Sequence, residues 1–259
     1  MSRKKRGKKG QTLSKDNELK QIKEAFRELK FELTDIQTEQ FHKYYELLVE
    51  TNKVMNLTAI TEFSEVLTKH FVDSGALMKI VDLNQCKTVI DIGTGAGFPG
   101  IPLKILFPHL KITLLDSLNK RIRFLQQVVD QLGLKDVELL HGRAEDYAHK
   151  KDYREKYDLC VSRAVANLST LSEYCIPYVK QGGYFIPYKS GKIEEELKQA
   201  GYAIKQLGCE MEKAEKMLLP STEIERMFVF IKKIKNTSSK YPRKAGLPAK
   251  EPLEMKKGE

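Results

Sequence analysis

The run Val89-Ile90-Asp91-Ile92-Gly93-Thr94-Gly95-Ala96-Gly97-Phe98-Pro99-Gly100 constrains this chain more than any other stretch. Three β-formers surround one carboxylate, which predicts a buried strand with a polar group near its end. Gly93, Gly95 and Gly97 allow a sharp turn and a close approach of backbone to a ligand. Pro99 suits the first position of a helix. That helix is expected through Leu103, Ile105 and Leu106 to about Phe107, where Pro108 stops it.

Two patterns compete for the turn. Gly95-x-Gly97-x-x-Gly100 fits the dinucleotide-binding G-x-G-x-x-G. Asp91-x-Gly93-x-Gly95-x-Gly97 fits the acidic-G-x-G-x-G turn of S-adenosylmethionine-dependent methyltransferases. Charge separates them: a carboxylate repels a pyrophosphate, whereas it attracts the ammonium and sulfonium of S-adenosylmethionine. No Lys-Ser/Thr follows the last glycine, which counts against a phosphate-binding P-loop. Asp116, 19 residues after Gly97, ends the second expected strand (Ile112 to Asp116). An acid there accepts hydrogen bonds from ribose hydroxyls in open α/β sheets. The pair points to a ribose-bearing cofactor.

Charge is unevenly placed. The net charge is +10, with +6 in residues 1–10 and +6 in residues 232–259, so the body from 11 to 231 stands at −2. Basic arms of this kind contact nucleic-acid phosphates, or serve only as solubilising extensions. The four cysteines (Cys86, Cys160, Cys175, Cys209) form no C-x-x-C pair and the histidines do not cluster. This argues against a structural zinc or a disulfide framework and for a reducing, cytoplasmic setting. No apolar run reaches membrane-spanning length, and no apolar segment follows the basic start, as a signal peptide would require. Neither a metal nor a membrane partner is expected, and the chain is read as a monomer.

The order along the chain divides it into a basic disordered tail (1–14), an N-terminal helical layer (15–80), an α/β domain (81–235) and a basic C-terminal tail (236–259) without its own core. Thr34-x-x-Gln37 reads as a capping box opening a helix, and a second helical segment runs from about 63 to 80. Strands are expected at 87–91, 112–116, 137–140, 157–163 and 184–187, with a turn at Gln181-Gly182-Gly183. Helices are expected at 118–132 (ended by Gly133), 168–179 and 193–207, and a closing pair of strands at 210–219 and 224–234. Lys120 and Arg121 open a helix on the ligand side of the sheet, where cations oppose the helix dipole; either solvent or RNA phosphate accounts for them. Arg163 ends the fourth strand, beside the switch point where substrates bind.

The methyl acceptor is read from what the chain carries. Exocyclic-amine methylation of nucleic acid commonly goes with Asn/Asp-Pro-Pro-Tyr/Phe after the fourth strand, where this chain has Ser162-Arg163-Ala164-Val165. Cytosine-carbon methylation needs a cysteine nucleophile, and Cys160 and Cys175 fall at apolar positions. A ring nitrogen such as guanine N7 has a free lone pair and no proton, so proximity and orientation carry most of the rate.

The chain resembles the bacterial 16S rRNA (guanine-N7)-methyltransferases, also called glucose-inhibited division protein B. The matching pieces are Asn56 to Ile60, His70-Phe71-x-Asp73-Ser74, Asp91 to Pro102, Leu115 to Arg121, Arg143-Ala144-Glu145, Ser162 to Ala166 and Lys240-Tyr241-Pro242-Arg243-Lys244, in family order over roughly 33–253. The resemblance implies a class I S-adenosylmethionine-dependent methyltransferase. Its fold would be α/β and Rossmann-like, a mostly parallel seven-stranded sheet with helices on both faces, plus the N-terminal helical layer. It places Gly93, Gly95 and Phe98 at the cofactor, Ala144 and Glu145 at the adenine, Asp116 at the ribose and Arg163 at the cofactor–substrate junction. It implies 16S rRNA or the small ribosomal subunit as partner, with Lys120, Arg121, Arg143 and Arg163 as candidate RNA contacts and no residue assigned as a catalyst. A class I methyltransferase on another acceptor and a non-catalytic RNA-binding protein of this fold are the alternatives; intact glycines, Asp91 and Asp116 count against the latter. A dehydrogenase is disfavoured by Asp91.

Overall fold

The computed structural model describes residues 14–163, 165–190 and 193–254. The expected disordered run at the N-terminus lies, except for Ser14, outside them. Helix α1 (Lys15–Glu28) and helix α2 (Asp35–Met55) come first. Thr34 and Gln37 form the expected capping box at α2: the Gln37 N–H donates to Thr34 Oγ1 and the Thr34 N–H to Gln37 Oε1. The expected helical segment at 63–80 is one unbroken helical run of changing pitch. It passes through α3 (Phe63–Val66), a π-turn (Leu67–Val72), α4 (Asp73–Gly75) and a 3-10 turn (Ala76–Lys79).

Strand β1 (Thr88–Ile92) and helix α5 (Gly100–Leu106) flank the glycine turn. Strand β2 (Lys111–Asp116), helix α6 (Asn119–Leu132), strand β3 (Val137–His141), helix α7 (Ala144–Tyr147) and strand β4 (Tyr157–Arg163) follow. Gly133 ends α6 in the left-handed conformation, as its position predicts. Helix α8 (Leu168–Cys175) stops earlier than expected, because a 3-10 turn at Ile176–Tyr178 takes over. Strand β5 (Val179–Ser190) is longer than expected and absorbs Gln181-Gly182-Gly183. Helix α9 (Glu194–Gln206), strand β6 (Cys209–Leu218), strand β7 (Glu225–Lys233) and a last turn, α10 (Leu247–Lys250), complete the chain.

The seven strands form one sheet in the order β3-β2-β1-β4-β5-β7-β6. Pairings from β3 to β5 are parallel, and β7 is antiparallel to both β5 and β6. The switch in strand order falls between β1 and β4, so the crevice where such sheets bind ligands opens over the ends of those strands. Outer strand β6 alternates Glu and Lys (Glu210, Glu212, Lys213, Glu215, Lys216), which discourages edge pairing with another chain.

The N-terminal layer is continuous with the α/β domain. Ile22, Phe26, Phe41, Phe71, Val89, Leu114 and Phe124 belong to one buried cluster, so α1, α2 and the 63–79 turns cover one sheet face together with α5 and α6. A second cluster on the other face joins β1 and β4 to α8 and α9 through Ile90, Cys160, Leu171 and Ile204. Gln37 shows how the layer is fixed. Its side-chain amide donates to the carbonyls of Ile105 (2.9 Å) and Leu106, which end α5.

The stretch from 236, expected as a basic tail, is in the described residues up to 254 a docked strap. Tyr241 and Pro248 are buried. Arg243 grips the buried carboxylate of Glu173 on α8, with Nη2 2.7 Å from Oε2 and its own N–H 2.6 Å from Oε1. Arg154 donates to the carbonyls of Thr237, Ser238 and Tyr241. Lysine and proline content misled the sequence reading because the docking is polar and needs few apolar residues. Removing one partner of a buried ion pair leaves an uncompensated charge. Arg243→Ala is therefore expected to lower stability by about 3 kcal/mol in urea unfolding monitored by circular dichroism.

Candidate active site

The glycine turn is held from below by two carboxylates. Asp91, fully buried, accepts from Thr94 Oγ1 (2.8 Å) and from the Gly100 N–H (2.9 Å) through Oδ2. Asp116 accepts from the Gly95 N–H (2.9 Å) and the Leu118 N–H (2.9 Å). The N–H groups of Gly93 and Thr94 both bond to the Leu115 carbonyl. The turn is thereby strapped across the ends of β1 and β2. At Gly100 a Cβ would stand 2.2 Å from Leu114 Cδ2 and 3.0 Å from Asp91 Oδ2, so only glycine lets α5 start this close to the sheet.

Asp91 does not play the part its charge suggested. It lies under the turn, its carboxylate turned to Thr94 and Gly100, and it lines neither of the two cavities above. Its Oδ1 is buried without a hydrogen-bond partner. Burial pushes the carboxyl up to about 6, against the Thr94 and Gly100 bonds that favour the ionised form.

Two cavities lie above the turn. The larger, 390 Å³, is lined by Gly93, Gly95, Phe98, Asp116, Arg121 and Arg163 among others. The second, 270 Å³, is lined by Asp116, Arg143, Ala144, Glu145, Tyr174 and Ala249 among others. They share Gly93, Asp116, Ser117 and Val165 and so form one trough across the ends of β1, β2 and β4. Every residue assigned to the cofactor from sequence lines this trough. Gly95 has φ +63°, and a Cβ there would meet nothing closer than the Gly93 carbonyl at 4.0 Å. Its missing side chain leaves open space in the cavity wall. An elongated nucleoside with a charged tail fits such a trough of several hundred Å³.

Phe98 and Arg163 form the far wall. The Phe98 ring stacks on His70 with centroids 4.5 Å apart, and the Arg163 guanidinium stands 5.1 Å above the Phe98 ring. Arg163 Nη1 donates to Asp73 Oδ2 (2.8 Å) and to the Lys69 carbonyl (3.2 Å). His70 Nε2 is 2.9 Å from Thr58 Oγ1. Burial, then the Arg163 charge, pulls the His70 imidazole down to about 4, so it is neutral at neutral pH.

The candidate RNA contacts are dispersed. Lys120 is exposed and donates to the Met55 carbonyl (3.1 Å). Arg143 is exposed at the rim of the second cavity. Arg121 turns inward, its Nη1 3.1 Å from Asp116 Oδ2. Arg163 is less exposed than the other three and lies between Phe98 and Asp73. The sequence reading gave no site role to Thr58, His70, Asp73, Tyr174, Arg226 or Ala249. The family pieces Asn56 to Ile60 and His70 to Ser74 contain the first three; Tyr174, Arg226 and Ala249 carry no pattern in one sequence.

A parallel sheet closed by an antiparallel β7, with a glycine turn and two acids at the first two strand ends, defines a class I S-adenosylmethionine-dependent methyltransferase fold. The solved structure of StiE O-MT has the same fold, with a TM-score of 0.53 and 18% identity, covering 73% of this chain and 82% of that one. The profile of the family described as GidB, rRNA small subunit methyltransferase G, matches residues 37–226. The ribosomal RNA small subunit methyltransferase G of Lachnoclostridium phytofermentans is 54% identical over 234 residues, 90% of this chain and 97% of that protein. That of Desulforamulus reducens is 53% identical over 232 residues, again 90% and 97%. The chain belongs to the rRNA small subunit methyltransferase G family.

The Asp91 carboxyl gives a pH signature. A carboxyl whose folded pKa lies above its unfolded value of 3.8 binds its proton more tightly in the folded chain. Its contribution therefore declines as pH rises from about 4 to about 6 and is flat above. Asp91→Asn should remove that decline. Between pH 4 and pH 7 the stability difference is expected to move in favour of the Asn variant by about 2–3 kcal/mol, read from urea unfolding midpoints of both proteins.

Proposed function

We propose that the chain transfers a methyl group from S-adenosylmethionine to N7 of a guanosine in the decoding region of 16S rRNA. The observation that carries the reading is the trough over β1, β2 and β4, in a chain about half identical to named small-subunit rRNA methyltransferases. When bound, S-adenosylmethionine supplies an electrophilic sulfonium methyl group. Asp116 lines both cavities and takes the ribose hydroxyls, in place of its longest contact, Arg121 Nη1 at 3.5 Å from Oδ1. Ala144 and Glu145 frame the adenine end, and Gly93, Gly95 and Phe98 the methionine end.

Guanine N7 brings its own lone pair and carries no proton, so the chain's work is to hold the base in line and keep water out. The site accords with this. His70 is neutral, and Cys160 and Cys175 sit in the core under the sheet, where burial pushes the Cys160 thiol well above its ordinary value. Neither thiol lines the trough as a cytosine nucleophile would. Exposed Lys120, at the start of α6, and exposed Arg143, on the second cavity, contact RNA phosphates, and an rRNA substrate implies a cytoplasmic enzyme. No helix among the described residues is long and apolar enough to cross a membrane.

The test is methyl transfer from labelled S-adenosylmethionine to unmodified 16S rRNA and to small subunits, with the product nucleoside identified by mass spectrometry. Label in 7-methylguanosine at one position is expected; label in another nucleoside, or none, overturns the acceptor. Charge-assisted hydrogen bonds contribute about 1.5–3 kcal/mol. Asp116→Ala should accordingly weaken S-adenosylmethionine binding at least about tenfold by calorimetry, and an unchanged affinity would remove Asp116 from the ribose.

A further inference from the structure

A third cavity, 730 Å³, opens on the other side of Arg163 and shares Arg163 and His70 with the cofactor trough. Its floor is an unusual charge arrangement. Asp73 is fully buried and lies between two guanidinium groups. Arg163 comes from β4 and donates to Oδ2 at 2.8 Å. Arg226 comes from the start of β7, paired with Ser190 of β5, and donates through Nε to Oδ1 at 2.6 Å and through Nη2 to Oδ2 at 3.1 Å.

One carboxylate cannot neutralise two guanidinium groups. Without Arg226, Asp73 and Arg163 would form a closed neutral pair. With it, one positive charge is left over in a partly buried place, where it is screened far less than on the surface. The rest of the cavity does not cancel it. Lys69 and Lys189 also line the wall, but each has its own carboxylate, Glu65 and Glu196, both at 2.5 Å, so the lysines neither add to the surplus nor remove it. Two guanidinium groups on one carboxylate therefore leave one positive charge beside the methyl-transfer point. Such a surplus suits a phosphodiester anion. The base itself becomes cationic when N7 is methylated, so the surplus must meet the phosphate rather than the base.

We propose that this cavity receives the acceptor nucleotide with its phosphate, and that Arg226 is the positioning residue that, by sharing Asp73, leaves the Arg163 guanidinium free to engage it. The inference rests on the rRNA reading above. Arg226 acts through Asp73 and Arg163 and touches neither the reacting methyl nor the cofactor trough.

The experiment compares full-length wild-type protein with Arg226→Met, which removes the charge at similar length, and Arg226→Lys, which keeps the charge but not the two-pronged grip. Arg226→Met should leave S-adenosylmethionine affinity within twofold. It should lower single-turnover methylation of small subunits at least tenfold, and reduce the slope of log K against log salt for RNA binding by about one. Arg226→Lys should restore the salt slope and only part of the rate. Wild-type rate and slope in Arg226→Met overturn the inference. So does loss of cofactor affinity and melting temperature in both variants, which would make Arg226 a purely structural residue. A wild-type protein that methylates no rRNA sinks the acceptor reading instead, and the salt slope of the variants then still decides whether the cavity binds a phosphate.

Discussion

The whole site depends on two carboxylates placed at the ends of adjacent strands. Asp91 and Asp116 each accept backbone N–H groups of the glycine turn, at Gly100 and Gly95. These bonds fix a backbone that three glycines would otherwise leave free. Charge-assisted bonds to backbone N–H groups are about twice as strong as neutral ones, and here at least one is fully buried. The two acids are not equivalent. Asp91 is sealed beneath the turn and pushed towards its protonated form, whereas Asp116 keeps a face on both cavities. One acid shapes the turn and the other also lines the trough.

The N-terminal layer enters the site through the same turn. The Tyr44 hydroxyl donates to the Ala96 carbonyl, and a Cβ on Gly97 would lie 2.6 Å from that hydroxyl oxygen. Phe98 then stacks between the layer's His70 and Tyr44. The segments preceding the sheet are therefore part of the trough's wall, and they carry Asp73, which pairs with Arg163. A site assembled from β4, β7 and the N-terminal turns cannot form until the sheet and that layer have packed into their common core.

Much of this was legible in the sequence, for identifiable reasons. Strand β4 and the capping box at Thr34 follow from local patterns, alternation and side-chain spacing, which one sequence contains. Asp116 was legible because an acid after a glycine turn at that spacing has a geometric meaning. The role of Asp91 was misjudged because its charge was read as facing a ligand, while its burial is set by Leu114 and the start of α5, packing that a sequence does not display. The helical segment expected at 63–80 is helical throughout, but its changes of pitch are not legible in one sequence, because side-chain pattern does not separate α from π or 3-10 turns. Arg226 was invisible, since its partner Asp73 lies 153 residues away.

The C-terminal strap carries the same logic to the other end of the trough. Glu145, assigned from sequence to the adenine, accepts the Gly246 N–H (2.9 Å) through Oε1, and Ala249 lines the second cavity beside it. The Thr170 hydroxyl donates to the Pro248 carbonyl, and Arg243 holds the strap to Glu173. The wall of the second cavity and the docked C-terminal strap are thus one piece of chain. Its order rests on contacts from Glu145, Thr170 and Glu173, so the wall beside Ala249 depends on residues outside the cavity as well as within it.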